Sequence, residues 1–243
     1  MAITQVRPDV RRAGPRDTVQ PDEYTVGGLT LGRAFRIFAG TFSAKLLTAA
    51  FAAAVAARVV LGGYRWWDLG VVGLVLATQP FTEWLIHVFI LHARPKRVGP
   101  VTVDGLLARK HRQHHANPRV IELVLVPRRA LVTSVLTAVP LYWAITGFDW
   151  GLALSWLVVA YGMFLTYEWT HFLIHSGYKP KTWYYRYIYK AHRLHHFRNE
   201  NYWYGVTVHL ADHVLRTFPE KDEVAVSPTA FTLGVDVPEE PAA

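Results

Sequence analysis

Two segments, KHRQHH at 110–115 and AHRLHH at 191–196, each contain His-x-x-His-His. Residues three and four apart share one face of a helix, and imidazole is a ligand for iron, zinc, copper or nickel. His111, His114 and His115 therefore make one ligand face, and His192, His195 and His196 a second. Two further pairs stand upstream of these triplets. His171 and His175 are four apart and share a face. His87 and His92 are five apart, about 140° around an ideal helix. They reach one site only if the helix end unwinds; otherwise they serve different metals. Ten imidazoles exceed what one octahedral ion holds, so the set reads as ligands for two ions. The chain has no cysteine, which excludes thiolate sites and disulfides. His209 and His213 complete the twelve histidines and are not assigned as ligands.

Elements that could position such a set are visible in the hydropathy. Long apolar stretches run over about 41–61, 69–92, 131–146 and 152–175. A bilayer core needs roughly 20 helical residues. The third stretch falls slightly short and contains Pro140, a predicted kink. The second and fourth overrun, and their polar last turns carry His87, His92, His171 and His175. The expected fold is all-α: an integral-membrane four-helix bundle with a cytoplasmic His-rich helical cap. Its expected bounds are 31–218. Residues 1–30 read as a disordered basic arm, with no signal peptide, and 219–243 as a solvated acidic tail.

The net charge of +8 is carried by 19 Arg and 7 Lys. Nine of these cations, from Arg94 to Arg129, fall in the loop between the second and third stretches, and the other two loops hold few charges. The positive-inside rule then puts both termini, the long loop and every histidine on the cytoplasmic side. Topology accounts for the charge without nucleic-acid binding. The aromatic run WYYRYIY at 183–189 reads as an interfacial segment with Arg186 reaching outward.

The halves of the chain run in parallel. Glu83-Trp84 precedes His87 and His92, and His111 begins the first triplet; Glu168-Trp169 precedes His171 and His175, and His192 begins the second. Duplication of a helical unit and convergence on one ligand geometry both account for this. Carboxylates within a membrane helix are costly and usually functional. Glu83 and Glu168 are thus expected to hydrogen-bond the far nitrogen of a ligand and fix its tautomer, with Asp212 as a further candidate. A metal transporter would string ligands across the membrane, and a haem protein would place histidines deep in facing helices; clustering at one end fits neither.

The set HVFILH (87–92), HRQHH (111–115), HFLIH (171–175) and HRLHH (192–196) resembles the fatty acid hydroxylase/sterol desaturase superfamily of membrane di-iron oxygenases over about residues 40–217. HRQHHANPRVIELVLVP looks most like the fatty-acyl 2-hydroxylase branch. The resemblance implies an O2-dependent monooxygenase of lipid biosynthesis that hydroxylates an unactivated C–H bond, most readily of a fatty acyl chain. Its alternatives are a desaturase, a hydroxylase of a sterol or carotenoid, and a non-enzymatic metal-binding membrane protein. It also implies two Fe ions on the ten histidines, with Zn or Mn entering on overproduction. The N-terminal arm is too short for a fused cytochrome b5-like domain. Electrons would then come from a separate ferredoxin or cytochrome b5-like protein and its reductase. A short, Arg-biased chain points to a bacterial plasma membrane.

Overall fold

A computed structural model describes residues 29–235. Most of the expected basic arm, 1–28, and the last residues of the expected tail, 236–243, lie outside the described residues. The helices are α1 (Leu31–Gly40), α2 (Phe42–Leu61), α3 (Trp66–Ile86), α4 (Leu106–Ala116), α5 (Ile121–Val124), α6 (Arg128–Ile145), α7 (Trp150–His175), α8 (Trp183–Phe197) and α9 (Leu210–Val214). A π-helical turn, His87–Leu91, continues α3, and strands β1 (Lys96–Val98) and β2 (Val101–Val103) form an exposed antiparallel hairpin before α4. The protein is mostly helical, as its sequence implies.

Four helices among the described residues are long and apolar enough to cross a membrane: Phe42–Leu61, Trp66–Leu91, Ile121–Ile145 and Trp150–His175. The third differs from its expected bounds. α6 begins at Arg128, and α5 lies just ahead of it, so the short stretch gains length at its N-terminal side. A 26-residue helix is about 39 Å long against a core of about 30 Å, so α7 projects beyond the apolar layer. Its projecting end carries His171 and His175.

Helix α7 is central, with α2, α3 and α6 packed against it. Leu47 and Ala54 of α2, Leu131 and Val135 of α6, and Leu157 and Tyr161 of α7 form the buried seam. The alanines of α2 allow close approach where hydrophobicity alone gives no driving force between helices. Tyr161 satisfies its buried hydroxyl by donating to the Val135 carbonyl at 2.7 Å. Helix α1 was not foreseen from the sequence. Thr30 caps its start, and its buried Phe38 packs on Trp169 and Phe172 of α7, while Arg33 and Arg36 are exposed.

At the end of the bundle away from the histidines, Arg58 of α2 is buried. Its guanidinium donates to Asp68 of α3 at 2.8 Å, to Ser155 of α7 at 2.8 Å and to the Gly62 carbonyl at 2.5 Å. One cation thus ties three spans together. Removing one partner of a buried pair leaves an uncompensated charge, which costs about 3–5 kcal/mol. Arg58→Ala is expected to lower the melting temperature in detergent micelles by several degrees while leaving metal content unchanged, because the pair is remote from the histidines.

Over the described residues 219–235 the segment is not a solvated tail. Acidic composition suggested one, but hydrogen bonds and apolar side chains pin it down. The Val224 carbonyl accepts from Arg198 at 2.8 Å, Ser227 N–H donates to the Arg198 carbonyl at 2.7 Å, and Thr229 donates to Glu200 at 2.5 Å. Val224, Ala230 and Leu233 are buried. Residues 219–235 therefore form a strap across the end of α8, and the folded unit extends beyond the expected boundary at 218.

Candidate metal centre

The ten histidines converge as two groups of five. Group one is His87, His92, His111, His115 and His195; group two is His114, His171, His175, His192 and His196. Within each group one nitrogen per ring lies within 4.8 Å of all the others. His209 and His213 belong to neither: His209 pairs with Asp212 at 2.9 Å and His213 with the Tyr187 hydroxyl at 2.7 Å.

The π-helical turn resolves the awkward five-residue spacing. His92 N–H donates to the His87 carbonyl at 3.0 Å, an i→i+5 bond. The widened turn brings residues five apart onto one face, so both rings enter group one, 4.9 Å between centroids. The helix widens instead of unwinding.

The triplets are divided between the groups. His111 and His115 of α4 enter group one but His114 enters group two; His192 and His196 of α8 enter group two but His195 enters group one. Helix geometry explains the division. Residues four apart differ by about 40° in azimuth, while the third residue of the triplet lies about 60° to the other side. The helices face one another, with His115 stacked on His196 at 4.2 Å. Each triplet therefore lends its middle histidine to the opposite group and locks the two groups together.

Buried polar atoms without partners carry a cost. Here His114 and His171 lack hydrogen-bond partners on both nitrogens, as do Nε2 of His92 and His195 and Nδ1 of His192 and His196. Other Nε2 atoms face each other: His87 and His111 at 3.1 Å, His111 and His115 at 3.2 Å, His175 and His192 at 3.0 Å, and His192 and His196 at 3.1 Å. One proton cannot satisfy His111 between two such neighbours. Two nitrogens bound about 2.1 Å from a common ion and set at a right angle would be about 3.0 Å apart. Both groups thus fit a metal ion held by imidazole alone.

The rings are suited to stay neutral. Burial, then the neighbouring histidines, hold His92, His111, His114, His192 and His196 well below the ordinary imidazole range. Burial likewise lowers His115 to about 3 against the opposing pull of the Ala230 carbonyl. A depressed histidine stabilises the fold above its unfolded value near 6.5 and loses that contribution as pH falls. Metal-free protein is therefore expected to unfold steeply below about pH 6, each such histidine adding up to about 1.4 kcal/mol per pH unit. Circular dichroism against pH, with proton uptake measured on unfolding, checks this.

The three candidate carboxylates act at one remove. Glu83 touches no imidazole. Its Oε1 accepts from the Val206 and Thr207 N–H groups, and its Oε2 from the Thr207 hydroxyl at 2.6 Å and Gln79 at 2.9 Å. Asp212 accepts from Tyr204 N–H at 2.9 Å, Gly205 N–H at 2.7 Å, the Thr217 hydroxyl and His209. Burial opposes its charge, but hydrogen bonds from His209, Thr217 and Gly205 outweigh it and lower its pKa. Together they pin loop 202–207, whose carbonyls do bind ligand rings: Tyr204 accepts from His87 Nδ1 at 2.5 Å and Tyr202 from His195 Nδ1 at 2.8 Å. Gly205 is required there, since a Cβ would lie 2.5 Å from the Val208 carbonyl and 2.9 Å from Asp212. Glu168, fully buried, accepts from the Ser43 hydroxyl and from Val126 N–H at 3.1 Å, joining α2 and the α5–α6 connection to α7. The expected direct carboxylate–imidazole bonds are thus replaced by carboxylate–backbone–imidazole relays on group one, and by a span-to-span tie at Glu168.

Sequence reasoning missed the Tyr202, Tyr204 and Ala230 carbonyls, the last accepting from His115 Nδ1 at 2.9 Å. Backbone groups leave no side-chain signature.

Comparison with known proteins agrees with this architecture. The fatty acid hydroxylase family model matches residues 72–217. A dihydroceramide fatty acyl 2-hydroxylase of Arabidopsis thaliana is 30% identical over 153 residues, 61% of this chain. The match spans 62% of that relative's length, less than two thirds. No solved structure matches. Since all ten converging histidines fall inside the matched region, which covers more than half of the chain, the protein belongs to the fatty acid hydroxylase family.

Proposed function

We propose that this protein is an O2-dependent di-iron membrane hydroxylase acting on a fatty acyl chain of a membrane lipid. The observation that carries the reading is the pair of adjacent five-imidazole groups at one end of an apolar bundle. Group one would hold one iron and group two the other. Bound iron, with O2 and two electrons, supplies the oxidising power for an unactivated C–H bond. In balance, C–H, O2, two electrons and two protons give C–OH and water. A separate ferredoxin or cytochrome b5-like partner with its reductase would deliver the electrons from the cytoplasmic side.

The chain's own residues position the substrate and restrict water. A narrow slot of about 30 Å³ is lined by Leu91, Leu107, Val124, Val126 and Tyr167, together with His111 of group one and His171 of group two. It joins an apolar wall to both groups, and Lys110 also lines it. At that size it admits an acyl segment only when side chains move. The relative's name gives a dihydroceramide fatty acyl 2-hydroxylase, and the same class of substrate is proposed for this chain.

Mass spectrometry of lipids from cells making the protein with an electron donor, against cells making His114→Ala, tests the reading. A lipid heavier by one oxygen, present only with the intact protein, is expected. A lipid lighter by two hydrogens would replace hydroxylation with desaturation.

A further inference from the structure

The two groups of histidines are not equivalent. In group one, three of the five rings have their outer nitrogen fixed by backbone carbonyls: His87 by Tyr204 at 2.5 Å, His195 by Tyr202 at 2.8 Å and His115 by Ala230 at 2.9 Å. Each bond selects the Nδ1–H tautomer and leaves Nε2 for a metal. The carbonyls are themselves anchored, two by the loop that Glu83 and Asp212 pin and one by the strap that Thr229 and Ser227 hold to Glu200 and Arg198. In group two, Nδ1 of His114, His171, His192 and His196 is buried without a hydrogen-bond partner. The Val124 carbonyl faces His171 but does not reach hydrogen-bond geometry, and only the fifth ring, His175, has a backbone carbonyl, that of Pro118, beside it without standing among the unpartnered rings. Those rings must adopt tautomer and orientation when the ion binds.

We infer that group one is the preorganised, tight site and group two the labile one, so that the ion in group two leaves first and enters last. The inference rests on the di-metal reading above. It also gives a role to the strap 219–235, which lies beyond the matched family region at 72–217: its Ala230 carbonyl bonds a ring of the tight site, His115, while none of the hydrogen bonds of its described residues goes to a ring of group two. Outer hydrogen bonds of this kind are commonly worth about 10–100-fold in metal affinity, which is the separation expected between the two ions.

The test is stepwise chelation of the purified metal-loaded protein, with metal per chain measured after each step. Two ions at the start, lost in two phases at least about tenfold apart, are expected. His175→Ala should abolish the fast phase and His92→Ala the slow one. Thr229→Val, which alters no histidine but loosens the strap beside Ala230, and is checked for folding by gel filtration, should hasten the slow phase about tenfold and leave the fast phase unchanged. Equal release of both ions, acceleration of the fast phase by Thr229→Val, or loss of the slow phase in His175→Ala would overturn the inference while leaving the di-metal reading intact. Fewer than two ions in the fully loaded protein would overturn both.

Discussion

Replacing His114 with Ala is expected to abolish lipid oxidation and halve the retained metal, although helix α4, which carries it, keeps its other two histidines. The structure gives the reason. His114 leaves its own triplet and enters group two, with ring centroids 4.9 Å from His171, 4.5 Å from His175 and 4.7 Å from His196. It is the only member of group two contributed by α4; the others come from α7 and α8. Its loss therefore removes one of five donors and, on the di-metal reading, would break the link through an ion between α4 and the second half of the chain. Chemistry that needs two ions at once then fails: a loss of at least about a thousandfold is expected, equivalent to about 4 kcal/mol of barrier. The measurements are product formation, metal per chain and circular dichroism on one preparation. A variant that keeps its fold and one ion but makes no product matches the expectation; full activity would show that the division into two groups is wrong. His209→Ala is the matched control. His209 is buried but belongs to neither group; because it bonds Asp212, which helps to pin loop 202–207, its replacement should do much less than that of His114 and leave the group-two ion in place.

The division of the triplets shows where sequence reading stops. Spacing of three and four put each triplet on one broad face, and that much holds. Which ion each ring serves depends on an azimuthal difference of about 100° between consecutive residues and on the approach of α8 to α4, a tertiary relation. The spans were legible because a membrane demands long apolar helices, so the observed bounds of α2, α3 and α7 differ from the expected ones by a few residues. Helix α1 escaped because ten residues of mixed Arg and Phe carry little apolar length. The pairing of His87 with His92 was illegible for a different reason: a π-helical turn changes the periodicity on which the reading depends. The strap was misjudged because its composition is acidic, while what holds it are Thr229, Ser227, Val224 and backbone carbonyls. For Glu83 and Glu168, burial inside the bundle was anticipated correctly in kind, but their partners were not, since backbone N–H groups compete with imidazole for a carboxylate and lie closer.

That last distinction has a measurable consequence at Glu83. Glu83→Ala is expected to deplete group one of metal by about 10–100-fold in affinity, even though no Glu83 atom touches a histidine. The carboxylate accepts from Val206 N–H, Thr207 N–H, the Thr207 hydroxyl and Gln79. Alanine leaves two buried backbone donors unsatisfied, each costing about 1–3 kcal/mol, and the loop relaxes. With it moves the Tyr204 carbonyl, the partner of His87 Nδ1 at 2.5 Å. Glu83→Gln should behave differently. A glutamine carbonyl can still accept from the two backbone N–H groups, and its amide N–H can point toward Thr207 and Gln79. The Gln79 oxygen is buried without a partner, so rotating that side chain by half a turn gives the new donor an acceptor. Gln is therefore expected to restore most of the metal and activity that Ala removes. Equal failure of Gln and Ala would mean that the negative charge itself is needed, and the positioning role assigned to Glu83 would give way to an electrostatic one acting on the ion. Metal content, the visible spectrum of the Co(II)-substituted protein and product yield, measured on both variants, separate the two. A loop displacement perturbs the group-one spectrum in Ala alone, whereas loss of charge perturbs it in both.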